Sequence, residues 1–176
     1  MGMSVTISAA AAQDAEQILK LQFLCYQSEA ELYGDYSMEP LTQTLDDLRA
    51  ELGRGHALVA RLGDEVVASV RGEVDADGTA TIAKLIVHPR MRRHGLGGRL
   101  LDAIEAHFAG EPAARRFQLL TGHRSERNLR LYRSHGYTPV ASRELGPKLT
   151  VITMEKDADA AGVPAARSAG TYVTSA

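Results

Sequence analysis

The chain has 176 residues and a mass of 19.0 kDa, room for one domain with one sizeable core and too little for two. Apolar residues are 44% and charged residues 24%, a globular balance that excludes collagen, a coiled coil and a disulfide scaffold. A net charge of −2 gives no global pull toward nucleic acid or an anionic membrane, and no apolar run approaches the roughly 20 residues of a membrane span.

Val5 to Ile7 alternates weakly and reads as a first strand. Asp14 precedes Ile18, Leu21, Leu24 and Cys25, which fall at helical spacing. A loop rich in tyrosine and carboxylates is predicted from Tyr26 to Pro40. Leu41, Leu45, Leu48 and Leu52 form one face of a second helix, stopped by Gly53 and Gly55. Strands follow at His56–Leu62, Glu65–Val74 and Thr79–Val87, with turns at Gly63-Asp64 and Asp75-Ala76-Asp77-Gly78. His88-Pro89 ends the third of these, because proline cannot donate to a ladder.

The period then changes. Leu96, Leu100, Leu101, Ile104 and Phe108 define a helix from about Gly95 to Ala109, closed by Gly110 and Pro112. Phe117–Thr121 is a short strand, and Ser125–His135 a helix capped by Gly136. Tyr137–Leu145 and Leu149–Lys156 form a last hairpin across Gly146-Pro147. The order is β-α-α-β-β-β-α-β-α-β-β, a mixed α/β arrangement over residues 1–156. Residues 157–176, mostly small and polar, read as a flexible tail, with Thr171–Thr174 a candidate edge strand.

The informative stretch runs from Leu85 to Leu101. A strand ends, a basic turn follows, and glycines open an amphipathic helix. The first N–H groups of a helix have no internal partner, and the helix dipole is positive there. Glycines let an anion touch the backbone, and Arg92, Arg93 and Arg99 add charge. The turn suits a pyrophosphate. It lacks the Gly-Lys-Ser/Thr of a nucleoside triphosphate loop and the third glycine of a dinucleotide fingerprint.

Arg92-Arg93-His94-Gly95-Leu96-Gly97 resembles the Arg/Gln-x-x-Gly-x-Gly/Ala motif of the GCN5-related N-acetyltransferases, the GNAT family. Leu131-Tyr132-Arg133-Ser134-His135-Gly136-Tyr137 is similar to a second segment of that family, and the resemblance spans roughly residues 5–156. It implies a mostly antiparallel central sheet flanked by helices, and acetyl-CoA as acyl donor. It implies that the pyrophosphate lies on Arg92, Arg93, His94, Gly95, Leu96, Gly97 and Gly98. The pantetheine arm would pair with Leu85, Ile86 and Val87 like an added strand, with the Val87 N–H near the thioester oxygen. Tyr132 would protonate the leaving thiolate. Where many members carry an asparagine that contacts the cofactor arm, this chain has Ser125, with Asn128 nearly one turn on; both are candidates for that contact.

The base is less defined. Thr81 stands where a subset of the family has glutamate, and Glu73 lies opposite it if the hairpin loop is Ala76–Gly78, but on the other face if Asp77-Gly78 is a two-residue turn. Glu29, Glu31, Tyr33, Asp35 and Glu39 could hold an amine, Glu29 and Tyr33 foremost. The six histidines lack metal-ligand spacing, and Cys25 reads as core, so no metal is expected. The expected activity is acetyl transfer to a primary amine, on a small molecule or a protein, by direct attack in a ternary complex. A non-turning acyl-CoA sensor is the alternative. A homodimer is a further expectation; nucleic acid and membrane are not expected partners. Sixteen arginines against four lysines, with 26 alanines, suggest a GC-rich bacterial genome. With no signal-like start, the expected location is cytoplasmic.

Overall fold

A computed structural model describes residues 4–110 and 114–158. Seven strands form one sheet: β1 (Val5–Ala9), β2 (Ala57–Leu62), β3 (Glu65–Val74), β4 (Thr79–Val87), β5 (Arg116–Gly122), β6 (Thr138–Glu144) and β7 (Thr150–Asp157). Their spatial order is β1-β2-β3-β4-β5-β7-β6, and of the six pairings only β4–β5 is parallel. The helices are α1 (Ala15–Tyr33), α2 (Glu39–Thr42), α3 (Leu45–Leu52), α4 (Leu96–Phe108) and α5 (Glu126–Ser134). This is the expected mixed, mostly antiparallel architecture, with one short helix added.

Two cores lie on opposite faces of the sheet. On one, Leu100, Leu101, Ile104 and Phe108 of α4 pack with Leu129 and Tyr132 of α5 over Val70, Ile82 and Leu119. On the other, Ile18, Leu21 and Cys25 of α1 pack with Leu48 and Leu52 of α3 over Val59, Val66 and Ile86.

Two expectations change. The loop predicted from Tyr26 is helix as far as Tyr33, because Tyr26, Ala30 and Tyr33 continue the 3–4 spacing that Ile18, Leu21 and Cys25 begin. Gly34, at φ +65°, ends it. The single helix expected over Leu41–Leu52 is two. Gln43 is extended, and Thr44 caps α3 by accepting from Asp47 N at 3.1 Å. The start, Met1–Met3, and the proposed tail beyond Ala158, including Thr171–Thr174, lie outside the described residues, as does Pro112.

Near the N-terminus of the fold, Asp14 is buried and receives Arg61 as a fork, at 2.8 and 2.7 Å. Arg61 and the Ala11 N–H hold its carboxyl below the usual carboxylate range.

Candidate functional site

A wedge in the sheet makes the site. β4 pairs with β5 only from Thr79 to Thr81, against Arg116 to Gln118. From Ile82 to Val87 that flank of β4 has no strand beside it, and the two strands wall a cleft of about 840 Å³. α1, α5 and the start of α4 complete the walls.

β4 is itself irregular. Ser69 pairs with Ile86 and Arg71 with Ala83, so Lys84 and Leu85 face the single residue Val70. Lys84 takes φ +52° at this bulge, a conformation few non-glycine residues adopt. Its ammonium meets Glu39 of α2 at 2.7 Å and Glu51 of α3 at 3.6 Å. Glu51 also pairs with the buried Arg71. The extra residue inverts the alternation of faces: Ile82 belongs to the α4 core, whereas Ile86 belongs to the α1 core.

The backbone at the end of β4 is directed. His88 N–H donates to Val67 O on β3 at 2.8 Å. Successive residues of a strand alternate, so the Val87 N–H points to the open flank. On that side the Cys25 thiol donates to Val87 O at 3.4 Å. Burial pushes this thiol up to about 11, so Cys25 is a protonated core residue at the cleft wall.

Leu85, Ile86, Val87, Arg92, Arg93 and Gly95 line the cleft, followed by Leu96, Gly97 and Gly98 at the start of α4. Gly95 caps that helix at φ +71°, and Arg93 sits at φ +69°. Two members of the expected turn fall outside. His94 is exposed and away from the lining, and Arg99 turns back to the carbonyl of Val5 at 3.4 Å. Arg124, Arg127 and Arg130 line the cleft from the α5 side. Together with Arg92 and Arg93 they set five guanidinium groups in the lining beside the carboxylates of Glu29, Glu31 and Glu126, a local grouping that the net charge of −2 conceals.

Tyr132 lies on the cleft wall, 6% exposed. Burial first, and then the negative charge of Glu29, push its hydroxyl above the ordinary tyrosine range. It therefore holds its proton at neutral pH. Tyr26, on the facing side of α1, is raised by burial and by the proximity of Tyr132.

Ser125, Glu29 and Tyr33 come together. Tyr33 Oη lies 2.8 Å from Ser125 Oγ and accepts from Arg124 N at 3.0 Å. Ser125 Oγ lies 3.0 and 3.2 Å from the two carboxylate oxygens of Glu29. Gly122 makes room for this: a Cβ there would stand 2.0 Å from Tyr33 Oη. Asn128 lines the cleft, half-buried.

Glu73, expected as a base, lies outside the cleft lining. The hairpin loop is Ala76–Gly78, and Glu73 does pair with Thr81. That register places it at the end where β4 and β5 are still joined, so it cannot reach the cleft. Its side chain is 67% exposed and meets Arg54 at 3.5 Å. Of the other acidic candidates, Glu31 lines the cleft, while Asp35 binds Ser37 and Glu39 binds Lys84. His56 and His107 approach to 3.1 Å away from the cleft, and no group of three metal-ligating side chains forms among the described residues.

Sequence reasoning missed Tyr26, Lys84 and Thr121, all in the cleft wall. Tyr26 was legible in the helical spacing of Tyr26, Glu29, Ala30 and Tyr33. The bulge was legible as well: apolar residues fall at even numbers through Ile82 and include the odd Leu85 and Val87 afterwards.

Residues 15–137 match the sequence profile of the Acetyltransferase (GNAT) family. No curated protein matches the chain significantly. Among solved structures, a GNAT-family acetyltransferase from Streptococcus pneumoniae superposes with a TM-score of 0.71 at 19% identity, covering 88% of this chain and 99% of that one. The yncA protein of Salmonella typhimurium, solved with its cofactor acetyl-CoA, gives 0.72 at 19% identity, covering 89% and 95%. The PaiA N-acetyltransferase of Thermoplasma acidophilum, solved with coenzyme A, gives 0.72 at 16% identity, covering 88% and 99%. These likenesses are ones of fold; the profile, which spans most of the domain, is one of family. The wedge, the bulged strand and the glycine-opened helix are therefore those of a member of the GNAT acetyltransferase family, to which this chain belongs.

Proposed function

We propose that this protein transfers an acetyl group from acetyl-CoA to a primary amine by direct attack within a ternary complex. The observation that carries the reading is the convergence of three parts on one cleft: the unpaired flank of β4, the start of α4, and the Tyr132 hydroxyl. The first-turn N–H groups of α4, with Arg92 and Arg93, offer the pyrophosphate its charge and donors. The open flank of β4 offers an extended pantetheine arm a strand to pair with. The Val87 N–H would polarise the thioester carbonyl and stabilise its oxyanion. As the new C–N bond forms and the C–S bond breaks, the departing thiolate takes the Tyr132 proton. The acceptor nitrogen gives up two protons in all. One replaces the proton Tyr132 has lost, and the other leaves with solvent.

The yncA and PaiA structures hold acetyl-CoA and coenzyme A, which supports this choice of donor. Calorimetric titration with acetyl-CoA tests it. The unaltered protein should bind, and Gly97→Glu, which puts bulk and negative charge at the start of α4, should not. Thiol release with acetyl-CoA and a panel of spermidine, tyramine, lysinamide and aniline then tests turnover. Binding without turnover on any amine would favour an acyl-CoA sensor.

A further inference from the structure

The geometry points to Glu29 as the carboxylate that receives the acceptor as an ammonium ion and takes its first proton, with Ser125 and Tyr33 as positioning residues. This rests on the acetyl transfer proposed above. It names the charge state of the substrate and gives the serine at position 125 a task other than touching the coenzyme.

The direction of the hydrogen bonds is fixed by elimination. A carboxylate only accepts, so the single Ser125 proton goes to Glu29, at 3.0 and 3.2 Å. The 2.8 Å contact between Ser125 Oγ and Tyr33 Oη must then be donated by Tyr33. Tyr33 Oη in turn accepts from the backbone N–H of Arg124 at 3.0 Å. The chain runs from a main-chain amide, through two hydroxyls, to Glu29. Each proton is used once, and each donor polarises the next.

The chain is rigid at its far end. Tyr33 is 5% exposed, lies against Gly122 where no Cβ intervenes, and packs its ring at 6.0 Å from His123. Ser125 is 6% exposed. Glu29 is thus held across the cleft, from α1 to the turn before α5, rather than waving in solvent.

Glu29 differs from the other acidic groups nearby. Three glutamates line the cleft; Glu31 and Glu126 are exposed, and Glu29 alone is half-buried and held. Glu39 and Glu51 are neutralised by Lys84 and Arg71. One neutral hydroxyl, that of Ser125, holds Glu29, and it forms no ion pair among the described residues. Its charge remains available to an incoming cation. Its charge raises both Tyr26 on α1 and Tyr132 on α5, and the arginines at 92, 93, 124, 127 and 130 share the same lining. The same charge thus attracts an ammonium group and adds to burial in keeping the proton on Tyr132, so that acceptor and donor of protons stand in one cleft.

In the step itself the ammonium gives one proton to Glu29, leaving the nitrogen lone pair free. That nitrogen bonds to the thioester carbon, the C–S bond breaks, and sulfur takes the Tyr132 proton. The second nitrogen proton restores Tyr132, and Glu29 returns its own to solvent.

The test uses the full chain, acetyl-CoA, and the same four amines, with kcat/KM read across pH. Glu29→Gln should lower kcat/KM for the alkylamines about 100-fold near neutral pH. The deficit should shrink as rising pH deprotonates the amine in solution. It should be far smaller for aniline, which is already neutral. Ser125→Ala and Tyr33→Phe should show the same pattern at roughly tenfold, and Ser125→Thr, which keeps the hydroxyl, should recover activity. Acetyl-CoA affinity by calorimetry should be unchanged in all four. Equal kcat/KM for Glu29→Gln and the unaltered protein at every pH would overturn the inference alone. So would loss of acetyl-CoA binding in Ser125→Ala, which would return that residue to the coenzyme. If Glu29→Gln does not fold, Ser125→Ala and Tyr33→Phe decide, since both leave the charge in place. No turnover by the unaltered protein on any of the four amines would overturn the enzyme reading, and this inference with it.

Discussion

Tyr132 is a buried phenol within the field of the Glu29 carboxylate. Each circumstance disfavours its anion, so it remains a donor throughout the neutral range. Replacing Tyr132 by Phe removes one oxygen and little volume. We expect turnover to fall by 100-fold or more with acetyl-CoA affinity retained, measured by thiol release and calorimetry. A sensor would have no turnover to lose. Asp14 shows the opposite shift and a structural use of it. Its folded carboxyl lies below the ordinary range, so its contribution to stability is present above that range and lost as pH falls through the folded value. Asp14→Asn should cost about 2 kcal/mol at pH 7 in urea denaturation, and the difference should begin to shrink below about pH 4 and close only beneath the folded value. At this scale the glycine turn and Tyr132 were legible in the sequence because both are local patterns: consecutive residues make the anion-binding turn. Glu73 was not. Its register with Thr81 was readable, but its distance from any site depends on where β4 leaves β5, a fact about a strand more than thirty residues on.

Between the elements, fit is set by what is left out. Gly98 lets α4 approach the end of α5 so closely that a Cβ would stand 2.9 Å from His135 Nε2. That imidazole cannot readily yield, because its Nδ1 contacts Asp102 at 3.2 Å. Gly98→Ala should lower stability by roughly 1–3 kcal/mol in thermal or urea melts, and Gly98→Ala with His135→Ala should recover part of the loss. The bulge at Lys84 works by addition: one extra residue in β4 sends Ile86 to the α1 core and leaves Val87 aimed at the open flank. The ion pairs from Lys84 tie α2 and α3 to the bulge, while Leu48 and Leu52 seat α3 on the core. Most strands and helices followed from periodicity. The extent of α1 did not, because its tyrosines and glutamates resemble a polar loop until their shared face is counted. Nor did the break at Gln43, where the leucine spacing continues across a cap.

Across the molecule, β4 divides two cores and borders both, through Ile82 on one side and Ile86 on the other. A ligand seated in the wedge touches each half of the protein. Hydrogen exchange should report this: acetyl-CoA is expected to slow exchange in peptides covering 82–87 and 95–98, and to leave those from β1 and β6 unchanged. Slowing confined to other segments would move the donor site elsewhere. The wedge also has a consequence for solubility. β4 is a central strand at Thr79 and an edge strand at Val87, and bare strand edges recruit other chains. Most proteins blunt such an edge with a proline, a charge or a covering loop. Here it is a wall of a cleft shared with α1 and α5, with five arginines in the lining. A neighbouring sheet would have to displace a helix to pair with it, whereas a single extended chain would not. The open edge is thus presented to a ligand from within a cleft rather than on the rim of the sheet.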